Sequence, residues 1–169
     1  MKEIGLFEIL GPVMIGPSSS HTAGAVRLAN ISAMIFNRKI KKVDFYLHGS
    51  FAKTHKGHGT DLALVAGVMG FSTFDKRIID SFDIAKKEGI DFSFQERDLG
   101  YVHPNTVKLV FNDSFSVTAS SIGGGRVEII DIDGTQVLLS GDYPTLVIQY
   151  EDKLGMIEKV SGFMVGTGA

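Results

Sequence analysis

Cysteine is missing altogether from this 169-residue sequence. No disulfide therefore staples the fold, and the chain has no thiolate to offer a zinc or iron–sulfur centre. An excess of charge of either sign is also missing. The 17 Lys and Arg against 19 Asp and Glu leave a net charge of −2, so nothing electrostatic recruits nucleic acid or an anionic membrane. Lys39, Lys41 and Lys42 are the densest basic cluster, and they read as the solvated lead-in to a strand. No stretch approaches the roughly eighteen apolar residues of a membrane span. Residues 1–10 include Glu3 and Glu8 and lack a basic start ahead of an apolar core, so no secretory leader is expected and a cytoplasmic location follows by default. What remains is 44% hydrophobic and 21% charged, the balance of an ordinary globular chain long enough to bury a core.

Periodicity sorts the chain into helices early and strands late. Ala25, Leu28, Ala29, Ser32, Ile35 and Phe36 recur at three- and four-residue spacing, which predicts a core-facing helix closed by the polar residues 37–39. Val43, Phe45 and Leu47 alternate with Asp44, Tyr46 and His48 as in a half-buried strand. Residues 49–60 read as a loop. A helix follows through Leu62, Leu64, Val65, Val68 and Met69, capped by Thr60 or Asp61. Another is expected over 75–87, stopping at Gly89. A strand over 91–96 precedes two hairpins, one turning at Asn112-Asp113 and one at Asp133-Gly134. The expected class is α+β, with helices packed on a mixed, largely antiparallel sheet. A joint at 141–143 divides residues 1–141 from a tail, 142–169, with a strand over 145–150 and a helical stripe of Met156, Ile157, Val160, Phe163 and Met164. One strand and one helix cannot bury their apolar faces alone, so this tail either packs back on the main domain or opens a further module.

Four segments carry candidate chemistry. In Gly16-Pro17-Ser18-Ser19-Ser20-His21-Thr22, three hydroxyls and an imidazole meet the free amides of a helix start, a setting that suits a carboxylate or phosphate. A simple capping run is the other reading. In His55-Lys56-Gly57-His58-Gly59-Thr60-Asp61, a histidine flanked by glycines is placed for proton exchange near neutral pH. An incidental exposed loop is the alternative, and a zinc site from His55 and His58 lacks a further ligand. His103-Pro104-Asn105 precedes a strand. Ser121-Ile122-Gly123-Gly124-Gly125 offers a nest of amides for an anion, or a bulge or corner. No dinucleotide pattern is present, and His48, on the polar side of its strand, reads as structural. A Ser–His hydrolase is a poor fit, because Ser20 and His21 are adjacent and no orienting acid is apparent.

Taken in order, residues 16–24, the Lys56–Asp61 segment, His103-Pro104-Asn105 and Ser121–Gly125 resemble the beta chain of the iron–sulfur-dependent L-serine dehydratases. The likeness spans about residues 11–140. The tail, with Asp152-Lys153-Leu154-Gly155-Met156-Ile157, is similar to the start of an ACT domain, of which only the first strand and helix are present. The resemblance implies an L-serine ammonia-lyase that yields pyruvate and ammonia without pyridoxal phosphate. It also implies a 4Fe-4S cluster polarising the serine hydroxyl. With no cysteine here, that cluster would belong to a separate alpha chain, in a heterotetramer or with this chain as a homodimer, and the active site would lie at a subunit interface. The main region further resembles the allosteric substrate-binding domain of some 3-phosphoglycerate dehydrogenases. On this basis His58 is the expected base or its relay, and His21, with Ser18, Ser19, Ser20 and Thr22, orients substrate. Asn105, Ser121, Gly123 and Gly124 complete the expected substrate contacts; no metal ligand is expected in this chain. The competing reading is a regulatory module that binds L-serine or another small carboxylate without chemistry.

Overall fold

The computed structural model describes residues 12–148 and 150–167; residues 1–10, where no leader is expected, lie outside them. The first helix, α1 (Gly24–Phe36), follows the apolar stripe: Ala25, Leu28, Ala29 and Phe36 are buried. It ends on Asn37, whose left-handed backbone (φ 47°) returns its amide to the Ala33 carbonyl. Strand β1 (Lys42–Leu47) has Val43, Phe45 and Leu47 fully buried, while Asp44 on the opposite face is buried as well. Lys42, at its head, pairs with Asp44 at 3.1 Å and Asp113 at 2.6 Å.

Residues 49–60 are not the continuous loop expected. Gly49–Thr54 winds into a short helix, α2, because Phe51 and Ala52 have a core to enter. Helix α3 (Thr60–Val68) then packs along α1. Its start also differs from expectation. The N-cap is Gly59, at φ 65° with no side-chain cap, while Thr60 is fully buried and the Asp61 carboxylate accepts the Leu62 amide at 2.9 Å. The helix expected over 75–87 is a 3₁₀ turn, Lys76–Asp80, capped by Asp75, continued by α4 (Ser81–Lys87).

Strands β2 (Asp91–Glu96), β3 (Thr106–Phe111), β4 (Phe115–Gly123), β5 (Arg126–Ile132) and β6 (Thr135–Leu139) complete one sheet of order β2-β1-β3-β4-β5-β6. Only β1 and β2 run parallel, and the helical passage between them is the long crossover that such a pair needs. The other neighbours are antiparallel. The α+β architecture is as expected.

Among the described residues of the strand expected over 145–150, none joins a ladder. An isolated strand has no partner for its amides and carbonyls, and the sheet edge is not extended to meet it. The tail is held near its root by Asp142, 3.3 Å from Arg27. Helix α5 (Met156–Thr167) leaves Ile157, Phe163 and Val165 exposed.

Candidate functional site at the start of helix α1

The chain enters α1 through a wide π-helical turn, Ser19–Ala23. Gly16 (φ 116°) permits the approach, since a Cβ there would stand 2.6 Å from Thr22 Cγ2. Ser18 has extended backbone and caps the turn, its hydroxyl accepting the His21 amide at 3.0 Å, while its carbonyl takes the Thr22 amide at 2.9 Å. The capping reading of this segment is therefore right as far as Ser18 goes. The amides of Ser19 and Ser20 make no hydrogen bond among the described residues, so the start of α1 retains free donors. Ser18, Ser19, Ser20 and His21 are all half-buried.

Two further elements close on this turn. Thr22, buried, donates its hydroxyl to the His58 carbonyl at 3.2 Å. Ser121, fully buried in β4, donates its hydroxyl to the Ser20 carbonyl at 2.9 Å. That strand comes so near that a Cβ on Gly24 would fall 2.0 Å from Ser121 Oγ. Ser121 thus supports the turn from within. Asn105 joins the group by taking the Ser121 amide on its carbonyl at 2.9 Å, with its side-chain amide 3.5 Å from the Ser121 carbonyl.

The two expected histidines meet. The rings of His21 and His58 lie with centroids 5.0 Å apart. His21 Nε2 is 3.0 Å from Ser50 Oγ and its Nδ1 is 3.5 Å from Ser18 Oγ. The edge of Phe51 packs against its ring at 5.3 Å. Burial, and then the charge His58 would add, hold the His21 imidazole below its ordinary 6.5. His58 has no such hydrogen bonds at its ring. Its Nδ1 is buried without a partner, and Nε2 makes no hydrogen bond among the described residues. The Thr60 hydroxyl, two positions on, is likewise buried and unpartnered. Buried polar atoms are seldom left so.

Other candidates are placed elsewhere. His55 donates Nδ1–H to the Ala52 carbonyl at 2.8 Å and stacks over Phe94, away from His58; no group of three or more metal-binding side chains occurs among the described residues. His48 accepts the Leu99 amide at 3.1 Å, the structural role expected of it. Gly123, Gly124 and Gly125 all take positive φ (99°, 61° and 75°) and form the tight turn between β4 and β5. Gly125 passes its carbonyl to Arg27 at 2.9 Å. No described contact takes Gly123 or Gly124 to either histidine. Sequence reasoning missed Ser50, because residues 49–54 read as loop; the signal was a hydroxyl directly after a glycine at a strand end.

Residues 5–88 match the family described as Serine dehydratase beta chain. The L-serine dehydratase beta chain of Peptoniphilus asaccharolyticus is 45% identical over 172 residues, covering 99% of this chain and 78% of that protein. The probable L-serine dehydratase beta chain of Bacillus subtilis is 44% identical, covering 97% and 76%. L-serine dehydratase 1 of Escherichia coli is 31% identical over 154 residues, covering 73% of this chain and 33% of that protein. With such identity over most of both chains, this chain belongs to the serine dehydratase beta-chain family.

Proposed function

We propose that this chain works with an alpha chain to convert L-serine to pyruvate and ammonia, and that His58 is the group that removes the Cα proton. The observation that carries the assignment is the contrast between two adjacent imidazoles. His21 is tied by hydroxyls at its ring nitrogens, whereas Nδ1 of His58 is buried without a partner and Nε2 makes no hydrogen bond among the described residues. A tied ring orients; an imidazole without such partners is available to accept a proton from substrate. In this reading the free amides of Ser19 and Ser20, at the positive end of α1, receive the serine carboxylate. His21 aligns the substrate beside His58. Nε2 of His58 then takes the Cα proton as hydroxide leaves the β-carbon, giving aminoacrylate. Its imine tautomer is hydrolysed to pyruvate and ammonia, so the water lost is regained.

The chain's own donors do not fit an iron–sulfur cluster. There is no cysteine, and the described residues gather no alternative ligand set. The 4Fe-4S cluster that the resemblance implies would be held by the alpha chain. The test is anaerobic co-expression with that chain and assay of pyruvate from L-serine at matched iron content. His58→Ala should lower turnover by about 10²–10⁴-fold, while His21→Ala should raise KM at least as much as it lowers kcat. A damaged His21→Ala beside a near-normal His58→Ala would reverse the two roles; normal activity in both would move the base to the alpha chain.

A further inference from the structure

The junction of β1 and α2 turns on Gly49, at φ 55°, and a Cβ there would stand 2.6 Å from the Pro104 carbonyl oxygen. Only glycine allows that approach. It lets Pro104 O accept the Ser50 amide at 2.8 Å, and the Ser50 carbonyl in turn accepts the Thr54 hydroxyl at 2.8 Å. Ser50 is thereby fixed in the first turn of α2, and its own hydroxyl caps nothing, since the N-cap of α2 is His48 without a side-chain bond. The one described partner of Ser50 Oγ is His21 Nε2, 29 residues away in sequence and 3.0 Å away in space. Next to it in the chain, Phe51 is fully buried and packs edge-on against the same ring. One turn of helix therefore supplies both the hydrogen bond and the wall that set the plane of His21.

We propose that Ser50 is a positioning residue for the reaction, holding the His21 ring in the orientation that presents substrate to His58. The inference rests on the functional reading above and deepens it. Ser50 touches no reacting atom; it acts through His21. The test uses the enzyme assembled with its alpha chain, with L-serine as substrate. Ser50→Ala should lower kcat/KM by about 3- to 10-fold, the scale of one neutral hydrogen bond, chiefly through KM. Ser50→Thr, which keeps the hydroxyl, should restore most of the loss. In a His21→Ala background Ser50→Ala should cost nothing further, because the group it serves is gone. A merely structural serine would give additive losses and a lowered urea midpoint, and that result overturns the proposal. So does a neutral Ser50→Ala beside a damaging His21→Ala, which leaves the functional reading standing. If His21→Ala is itself silent, the reading and the inference fall together.

Discussion

At the scale of single residues, the hydrogen bonds set the two adjacent histidines apart. His21 is neutral by preference, since burial and the proximity of His58 both oppose its charge. The folded state thus binds a proton at His21 less readily than the unfolded chain does. Wherever the unfolded chain holds more protons, stability rises with pH. The contribution is full above 6.5 and is lost as the pH falls through that value toward the depressed folded one. The urea midpoint of the chain should therefore drop between pH 7.5 and 5.5, and His21→Gln should flatten that part of the slope. Equal slopes in the two proteins would show that His21 is not held neutral by folding. Both histidines were legible as candidates from their motifs alone, because hydroxyls before a helix and a glycine-flanked imidazole are local patterns. Their pairing was not legible: 5.0 Å between rings is produced by α1 and the 55–59 loop meeting across the fold.

At the scale of elements, local chemistry predicted most of what formed. The hairpin turns are the clearest case. Asn112 and Asp113 take φ of 50° and 56°, and Asp133 and Gly134 take 51° and 85°, the left-handed pairs that two-residue connections demand. Helix α2 escaped detection because a six-residue helix has too little length to show a period, and it is stabilised by Phe51 entering the core. Glycine at 67 shows how packing overrides propensity. Replacing a helical glycine with alanine ordinarily stabilises by about 1 kcal/mol. Here a Cβ would come within 2.3 Å of the Val26 carbonyl oxygen and 2.7 Å of the Ala29 methyl, where α1 and α3 touch. Gly67→Ala should destabilise the domain, the overpacking cost of roughly 1–3 kcal/mol exceeding the propensity gain. Urea denaturation measures it, and an unchanged or raised midpoint would contradict so close an approach.

At the scale of the whole molecule, one core lies between helices and sheet, and the root of the tail faces Ile31, Met34 and Ile35 of α1 across a cavity. Leu154, Ile157, Phe163 and Val165 remain exposed, so the tail contributes little apolar burial to the rest. Ending the chain after Asp142 should leave the urea midpoint nearly where it was, a test of the proposed boundary at 141–142; a large drop would place the tail within the core.

The sequence by itself determined the class, the strand and helix alternation, the tight turns and the two histidine motifs. Each of these is written in neighbours a few residues apart, through periodicity, backbone preference and capping. Tertiary structure alone decided the strand order with its single parallel pair, the spending of Ser121's hydroxyl on Ser20, and the service of Ser50 to His21. Those contacts join residues 101 and 29 positions apart. Which distant groups meet is settled only when the apolar faces of α1, α3 and the sheet close on one another, because that burial fixes where every edge residue must stand.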